Sequence, residues 1–364
     1  SNHAKQILWN VLLVILSISL TLAVLETVFR IAGIKGDYHQ PRMDVGYTAG
    51  GEPVYSSPER YAPNSVIVSY YDSDPRGYFE ADGTMSHKNN SAGWRDIEHS
   101  IKKPANTFRI LGLGDSYLWG QGVRQTDICL SRLPGLFKDS LPDKAIETIN
   151  AGISGVNTAN ERTQLKEIGL QYKPDLVIVH FVLNDVEMNL HTSGPRIEFR
   201  YEYIGIYNEP DRLTSYSYLW SWVRQRTINT YRAHRYIRDC VARFDERSPG
   251  WISCRTALLD IKLLCDRNNA SLLVVIFPFY VDLNKDDYPF QKIHDTVYEF
   301  CRANGIHVLD LRDSYRQFRG PELWVHPSDQ HPNEIAHQIA AIAIARYLKE
   351  NRKDLLVQRG ETGK

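Results

Sequence analysis

The sequence predicts an α/β protein: a three-layer α/β/α domain on a five-stranded parallel sheet, preceded by an N-terminal transmembrane helix. Two observations predict the domain. Five short apolar runs follow one another along the chain, and segments with helical periodicity separate them. Strands separated by such helices pair in parallel through right-handed crossovers, so their carboxyl ends meet at one edge of the sheet. A long uncharged stretch near the N-terminus predicts the transmembrane helix.

The N-terminal stretch runs from Ile7 to Leu25 without a charged residue. At about 1.5 Å per residue, a helix of this length nearly crosses a hydrocarbon core of about 30 Å. A cleaved signal peptide would have a shorter apolar region and small residues at its cleavage site, and a buried core helix would carry charge on one face. We therefore expect residues 1–36 to form an uncleaved single-pass anchor. Positive residues flank both ends, so charge is a weak guide to orientation. We place the N-terminus inside because almost nothing precedes the helix.

The stretch after the anchor, residues 37–105, is polar and rich in Tyr and Pro, with no helical period. This composition predicts short strands and turns. Its aromatic content argues against a free linker, so we expect an irregular extension that packs on the main domain. At the other end of the chain, residues 353–364 form a polar tail.

The main domain is predicted to cover residues 106–352, with an insertion at about 190–250 that interrupts the strand–helix alternation. Apolar runs mark the five strands at 108–114, 146–150, 175–183, 272–279 and 307–311. Helical periodicity marks the segments 126–139, 157–172, 254–268, 287–304 and 333–350. Ligands of such a domain bind at the carboxyl ends of the strands.

Composition excludes several classes of protein. The 43 basic and 43 acidic residues give a net charge of zero, whereas an electrostatic nucleic-acid binder needs a basic excess. The five cysteines form no CxxC pair and no Cys/His cluster, so we expect no zinc site. Cys240 and Cys254 could pair in an oxidising compartment, but their spacing alone does not decide this.

Polar residues follow the predicted strands at the points where the strands end. Ser116 follows the first strand in Gly-Asp-Ser-Tyr, Gly155 follows the second in Ile-Ser-Gly, and Asn184 follows the third. His331 stands directly before the last helix in Ser-Asp-Gln-His-Pro-Asn, which we expect to be a strand-to-helix loop that contains both Asp329 and His331. Each motif taken alone is typical of a turn, a helix cap or a surface histidine. Four of them in this order, each at the same edge of the sheet, favour a catalytic site.

These four blocks resemble the SGNH hydrolase superfamily, also called GDSL-type esterases and acyltransferases, across residues 108–345. The resemblance implies a flavodoxin-like sheet, with Ser116 as nucleophile and His331 as general base. It also implies an oxyanion hole formed by the Ser116 backbone N–H, Gly155 and Asn184. The chemistry needs no metal or organic cofactor.

The sequence departs from the family pattern at three positions. Tyr117 stands where Leu or Phe is commoner, and Val182 stands where the third block usually has Gly. The acid usually lies three residues before the histidine, where this chain has Ser328. We expect Asp329, two residues before His331, to be the third triad member. Ser328 or a main-chain carbonyl is the alternative group that would orient the imidazole.

These residue types suit acyl transfer independently of the family. A serine hydroxyl is a weak nucleophile until a base within hydrogen-bond reach takes its proton. Neutral histidine, with a usual pKa of about 6.5, takes that proton and later returns it to the leaving alcohol. A neighbouring carboxylate fixes the tautomer and stabilises the imidazolium. Each oxyanion donor contributes on the order of 3 kcal/mol.

The insertion contains an arginine-rich segment, residues 216–244, with six Arg and one Asp together with four Tyr and two Trp. We expect mostly an amphipathic helix whose aromatic side chains pack on the core and whose arginines are solvated. The alternative is a lid or platform that binds an anionic or carbohydrate substrate, or that rests on anionic lipid headgroups.

Three segments look like a membrane-anchored bacterial subgroup of this superfamily: residues 25–33 (LETVFRIAG), 89–96 (NNSAGWRD) and 114–123 (GDSYLWGQGV). Such proteins often belong to systems that add or remove acyl groups on surface polysaccharides, where a membrane O-acyltransferase would be a partner. We expect an extracytoplasmic (periplasmic) serine esterase or O-acyltransferase that acts on acyl esters, chiefly acetyl, of a cell-surface glycan through an acyl-enzyme on Ser116. The alternative is a catalytically idle domain that binds glycan or acts as a scaffold in an envelope complex. The full set of Ser116, Asn184 and His331 argues against that alternative.

Overall fold

The structure is a computed structural model that describes residues 2–36, 42–44, 55–57, 60–71, 73–138, 144–187 and 212–356. Contacts divide the chain into two compact units. The first unit contains Ser1–Gln40 and Glu198–Arg238, and the second contains Pro41–Ile197 and Asp239–Lys364. Much of the predicted extension before residue 60, residues 188–211 of the predicted insertion, and residues 357–364 of the predicted tail lie outside the described residues.

The secondary-structure elements are numbered in chain order. The helices are α1 (Asn2–Ile31), α2 (Ser116–Trp119), α3 (Cys129–Phe137), α4 (Thr158–Glu167), α5 (Arg212–Tyr216), α6 (Tyr218–Arg243), α7 (Pro249–Arg267), α8 (Gln291–Ala303), α9 (Arg312–Tyr315), α10 (Gly320–Leu323) and α11 (Glu334–Arg346). The strands are β1 (Arg42–Asp44), β2 (Tyr55–Ser57), β3 (Arg60–Tyr61), β4 (Val66–Tyr70), β5 (Thr84–Lys88), β6 (Thr107–Gly114), β7 (Ala145–Asn150), β8 (Leu176–Phe181), β9 (Ser271–Ile276), β10 (His307–Asp310), β11 (Trp324–His326) and β12 (Asp329–Pro332).

Helix α1 of the first unit contains the predicted anchor. It is 30 residues long, which corresponds to about 45 Å at the usual rise, and none of its side chains is buried. Its most apolar window has a mean hydropathy of 2.4. By length and composition this helix is able to cross a membrane, a property that an N-terminal signal sequence shares.

The second unit is built on a five-stranded sheet with the order β10-β9-β8-β6-β7. All four pairings are parallel, which confirms the predicted flavodoxin-like α/β fold. Every residue of β6, β8 and β9 is buried, because helices cover both faces of the sheet. Helices α3 and α11 pack together on one face, and α4 packs against α7 on the other. In this topology the carboxyl ends of all five strands lie at one edge.

The described part of the extension from residue 60 belongs to the second unit and packs on its α/β core. Strands β4 and β5 form an antiparallel hairpin, and Trp94 and Arg95 follow it in fully buried positions. The Arg95 guanidinium donates to the Trp119 carbonyl oxygen at 2.9 Å and also to the Gly120 and Val123 carbonyl oxygens. The extension therefore satisfies the backbone carbonyls of the loop that follows Ser116.

The last motif lies in a different element from the one we predicted. Asp329 and His331 were expected in a strand-to-helix loop, but the structure places them in β12, which pairs antiparallel with β11. The loop prediction is wrong because the two strands contain only three and four residues, too few to show an alternating pattern.

All five cysteines lie in the described part of the chain, where they are buried and none is in a disulfide bond. Cys240 and Cys254 are therefore not joined. The Cys254 thiol instead lies 3.5 Å from the Thr158 hydroxyl oxygen.

Candidate active site

The turn from β6 to α2 places Ser116 at the carboxyl edge of the sheet. A side chain at Gly114 would put its Cβ 2.8 Å from the Cβ of Leu118, so only glycine lets the helix begin directly after the strand. Asp115 caps this helix, because its Oδ1 accepts a hydrogen bond from the Tyr117 backbone N–H at 2.9 Å. Ser116 is the first residue of α2 and is 7% exposed.

The structure brings Ser116, His331 and Asp329 together in one hydrogen-bonded chain. The Nε2 atom of His331 lies 2.8 Å from the Oγ of Ser116, although 215 residues separate them. Its Nδ1 atom lies 2.5 Å from Oδ1 of Asp329. Both His331 and Asp329 are in β12, and side chains two residues apart in a strand point to the same side. The two-residue spacing is therefore suited to a strand, where the commoner three-residue spacing would place the acid on the opposite face.

Ser328 does not take the place of Asp329. Its Oγ lies 2.6 Å from Nδ1 of His326, and its backbone N–H donates to the same ring nitrogen. The alternative in which Ser328 orients His331 therefore has no support in the geometry.

A tyrosine from the extension holds the second oxygen of the acid. The Tyr71 hydroxyl donates to Oδ2 of Asp329 at 2.9 Å, while the His331 backbone N–H donates to Oδ1 at 3.1 Å. The Tyr71 ring is buried and stacks on Phe79, with centroids 4.2 Å apart. Asp329 is thus held by partners on both carboxylate oxygens.

The predicted oxyanion donors follow the neighbouring strands. The Nδ2 of Asn184 donates one hydrogen bond to Oδ2 of Asp115 at 2.9 Å, which fixes its amide beside the Ser116 turn and leaves its second N–H. Gly155 has a φ of +80°, a left-handed conformation that favours glycine. Val182, which replaces the usual Gly, is buried, and its backbone N–H donates to Oδ2 of Asp185 at 2.9 Å. The turn after β8 is therefore closed without a glycine.

Tyr117, the other departure from the family pattern, packs against the histidine. Its ring meets the His331 ring edge-on with centroids 5.7 Å apart and stacks on Tyr280 at 6.0 Å. Such aromatic contacts restrict the orientation of the imidazole.

The charges of His331 and Asp329 shift each other's pKa. Burial lowers the pKa of His331, but the charge and hydrogen bond of Asp329 outweigh it, so the pKa is raised above its usual value. For Asp329, burial raises the pKa, but His331 and the donated hydrogen bonds outweigh burial and the pKa is lowered. The acid therefore stays ionised, and the imidazole is a stronger base than a free one.

Further carboxyl groups lie beneath the site. Burial raises the pKa of Asp115, and it raises the pKa of Glu161 and Asp185 far more. Neither side-chain oxygen of Glu161 has a hydrogen-bond partner among the described residues. Burial therefore favours the protonated form of Glu161, because an ionised carboxylate in this environment would be unsolvated.

Sequence reasoning missed Tyr71 and Asp115. Tyr71 lies in a stretch without periodicity, and no local pattern links it to a residue more than two hundred positions later. The N-cap role of Asp115 could have been predicted, since an Asp between a buried strand and a helix is typical of an N-cap.

A family profile matches the part of the chain that contains Ser116, Asp329 and His331. The profile of the GDSL-like Lipase/Acylhydrolase family matches residues 113–339. No curated protein matches the chain.

Three solved structures are similar to this chain at low identity. The first is a two-domain esterase (CEX) active on acetylated mannans (14% identity, TM-score 0.40, 68% of this chain and 50% of that one). The second is the acetylxylan esterase Axe2 from Geobacillus stearothermophilus (16%, TM-score 0.40, 66% and 93%). The third is TesA (12%, TM-score 0.41, 66% and 98%). The match spans half the length of the two-domain esterase.

The family match covers more than half of the 364 residues and includes the Ser116 turn, both oxyanion motifs and the strand that carries His331. The sequence blocks and the family profile therefore identify the same domain. This chain belongs to the GDSL-like lipase/acylhydrolase family and is a serine hydrolase that acts on ester bonds.

Proposed function

We propose that the protein is a membrane-anchored, extracytoplasmic esterase or O-acyltransferase that acts on acetyl esters of a cell-surface glycan. In this proposal Ser116 is the nucleophile, His331 the general base and Asp329 the acid. The observation that carries the proposal is the continuous chain of hydrogen bonds from Asp329 through His331 to Ser116 at the carboxyl edge of the sheet.

The geometry supports a two-step acyl transfer. As the Ser116 Oγ attacks the ester carbonyl carbon, its proton passes to Nε2 of His331, 2.8 Å away. The negative charge that develops on the carbonyl oxygen would be stabilised by the Ser116 and Gly155 backbone N–H groups and by the Asn184 amide. The tetrahedral intermediate then collapses, the C–O bond to the alcohol breaks, and His331 returns the proton to the leaving oxygen. This leaves an acyl ester on Ser116.

The second step releases the acyl group. His331 takes a proton from water or from a sugar hydroxyl, whose oxygen attacks the acyl carbon. The C–O bond to Ser116 then breaks, and His331 returns the proton to the Ser116 Oγ. Water gives hydrolysis and releases the acid, whereas a sugar hydroxyl gives transfer. An O-acyltransferase in the membrane would be a suitable partner, because it would supply or share the acylated glycan.

Two features support a surface location and a glycan substrate. Helix α1 is long and apolar enough to anchor the chain, and it continues as helix through Leu25 and Glu26, where a signal-peptide cleavage site would lie. The segment 89–96 resembles the membrane-anchored subgroup, and its Arg95 holds the loop after Ser116. The domain boundaries proposed for this chain remain 1–36, 37–105, 106–352 and 353–364.

The competing proposal, an idle domain that binds glycan, is disfavoured by the assembled triad. A binding module does not require a base 2.8 Å from a serine hydroxyl. A turnover assay separates the two proposals. The purified full chain should hydrolyse p-nitrophenyl acetate, Ser116→Ala should abolish hydrolysis, and Ser248→Ala, a serine in the loop before α7, should not change it. Glycan binding without turnover by the wild type would favour the idle domain.

Substrate and location need separate measurements. Release of acetate from acetylated xylan or mannan oligosaccharides, dependent on Ser116, would support a glycan esterase. Movement of labelled acetyl to an unacetylated oligosaccharide would support transfer. Protease digestion of the catalytic domain in spheroplasts, with the domain intact in unopened cells, would support a periplasmic location.

A further inference from the structure

The first unit contains a second feature besides the apolar helix. Residues 212–226, which comprise α5 and the first turns of α6, dock on the last turns of α1. We call this segment the collar. It lies in the arginine-rich region for which the sequence left two interpretations open.

The collar is fixed to α1 by Glu26, the first charged residue after the apolar stretch. Its carboxylate accepts hydrogen bonds from the Ser217 hydroxyl at 2.7 Å and from the Tyr218 and Leu219 backbone N–H groups at 3.0 Å each. These N–H groups begin α6, where a helix has unsatisfied donors and the positive end of its dipole. Glu26 therefore caps α6 from another helix.

Further contacts surround this cap. The rings of Phe29 and Trp222 meet edge-on with centroids 5.3 Å apart, and the Arg30 guanidinium lies 5.1 Å from the centroid of the Tyr218 ring. Beyond the helix, the Gly36 backbone N–H donates to the Ser221 hydroxyl at 2.8 Å. The collar is thus held at the level of residues 26–36, directly after the end of the apolar stretch.

The outer surface of the collar is apolar and aromatic. Leu213 is 63% exposed, Tyr216 is 75% exposed and Trp220 is 41% exposed. Beside them on α1, Ile31 is 83% exposed. The expectation that these aromatic side chains pack on the core is therefore wrong for Tyr216 and Trp220.

The charge of the segment has one sign. The collar, residues 212–226, contains three Arg and no Asp or Glu, and residues 227–238 of α6 add three more Arg and no acid. Positive charge combined with exposed Trp, Tyr and Leu is typical of protein segments that lie in a membrane interface with anionic headgroups.

We propose that the collar is a second membrane contact, seated among anionic lipid headgroups at the level where α1 leaves the bilayer. The inference rests on the proposed membrane anchor. If α1 spans the membrane, Glu26 holds the collar at the interface, where Tyr216 and Trp220 reach the boundary of the acyl chains. The anchor would then be a helix with an attached interfacial segment instead of a single flexible tether.

Site-directed fluorescence tests the proposal on the full chain in lipid nanodiscs. All five native cysteines are buried, so an introduced cysteine is the most accessible thiol for an environment-sensitive dye. We would label Leu213→Cys, Tyr216→Cys and, as the bilayer reference, Ile15→Cys. The dye coupled to glutathione gives the aqueous reference. Quenching by iodide reports water, and quenching by headgroup-level spin-labelled lipids reports the interface.

The proposal predicts that iodide quenching at positions 213 and 216 is at least about threefold weaker than for the glutathione adduct in discs that contain phosphatidylglycerol. Spin-labelled lipids should quench both positions, and the protection should decrease in pure phosphatidylcholine discs. Glu26→Ala should restore iodide access at position 216. Thr27→Ala should leave access unchanged, because the Thr27 hydroxyl bonds only within α1, to the Ala23 carbonyl oxygen.

The possible failures are distinguishable. If the dye at position 15 is in lipid while those at 213 and 216 are as accessible to iodide as the glutathione adduct, the collar proposal is wrong and the anchor stands. If position 15 is itself aqueous, the anchor fails and the collar proposal fails with it.

Discussion

The hydroxyl of Tyr71 donates a hydrogen bond to Oδ2 of Asp329 at 2.9 Å, and so joins the N-terminal extension to the proposed catalytic acid. Burial and the nearby Asp329 charge raise the pKa of Tyr71 well above its usual value, so the hydroxyl remains a donor at every pH at which the enzyme would work. We therefore propose that Tyr71 is a positioning residue, which would act on Ser116 through Asp329 and His331.

Replacing this tyrosine should change the pH profile as well as the rate. Tyr71→Phe removes a hydrogen bond to a buried charge, worth about 1.5–3 kcal/mol, and should lower kcat/KM by about ten- to a hundredfold. The more basic carboxylate should raise the pKa of His331 further, because it stabilises the imidazolium more. The acid limb of kcat/KM against pH should then move to higher pH.

The matched control for this variant is Tyr78→Phe. Tyr78 also donates to a carboxylate, that of Asp127, but it does not contact the triad. Loss of the Tyr78 hydroxyl should leave the acid limb of kcat/KM against pH where it is in the wild type. A Tyr71→Phe enzyme with less activity and an unmoved limb would mean that Tyr71 only supports folding.

Substitutions at the neighbouring residues Asp329 and Ser328 should differ strongly in their effect on kcat. Asp329→Asn should lower kcat by about 10³–10⁴-fold, because the amide favours the wrong tautomer of His331 and does not stabilise the imidazolium. His331→Ala should cost at least as much. Ser328→Ala should stay within about twofold, since its hydroxyl is bonded to His326. Steady-state kinetics in which Ser328→Ala is the more damaging change would remove Asp329 from the triad.

Asn184 should affect the rate of chemistry more than substrate binding. Asn184→Ala removes a proposed oxyanion donor, so kcat should fall by about 10²–10³-fold with little change in KM. Asn157→Ala is a suitable control, because Asn157 caps α4 and should affect stability more than kcat. A rise in KM with unchanged kcat for Asn184→Ala would instead indicate a role in substrate binding.

The buried carboxyl group of Glu161 should make the free energy of unfolding depend on pH. Burial first, and then the charge of Asp115, raises its pKa above the usual 4.5, so the folded state keeps a proton that the unfolded chain loses. This contribution to stability is fully present below pH 4.5 and is lost as the pH rises toward the folded-state pKa, by about 1.4 kcal/mol per pH unit. Thermal unfolding of Glu161→Gln should therefore vary less with pH than that of the wild type.

The control for this variant is Glu167→Gln, at an exposed position of the same helix. It should unfold with the pH dependence of the wild type. If Glu161→Gln also keeps that dependence, Glu161 is ionised in the folded protein and the assignment of its proton is wrong.

The sheet could be predicted from the sequence because its signals are local. The runs at 108–114 and 272–279 are apolar apart from Arg109, as strands covered on both faces must be, and they overlap the fully buried strands β6 and β9. The ribbon formed by β11 and β12 could not be predicted in this way. Its two short strands are defined by their pairing, which depends on tertiary contacts and not on an alternating pattern.

Part of the site could also be predicted from the sequence, because its signals are local. Ser116, Asn184 and His331 stand at strand ends in recognisable motifs, and the structure brings Ser116 and His331 within 2.8 Å. The contact of Tyr71 with Asp329 depends on how the extension folds across the domain, which no local pattern encodes. The two interpretations of the arginine-rich segment stayed open because composition alone does not show that residues 212–226 dock on α1.

Covalent labelling is the most direct test of whether Ser116 is an activated nucleophile. The full chain would be treated with a fluorophosphonate probe and the modified peptide identified by mass spectrometry. We expect a single adduct on Ser116. It should be absent in Ser116→Ala, and it should form much more slowly in His331→Ala. Undiminished labelling of Ser116→Ala, or ester hydrolysis by that variant at the wild-type rate, would contradict this expectation.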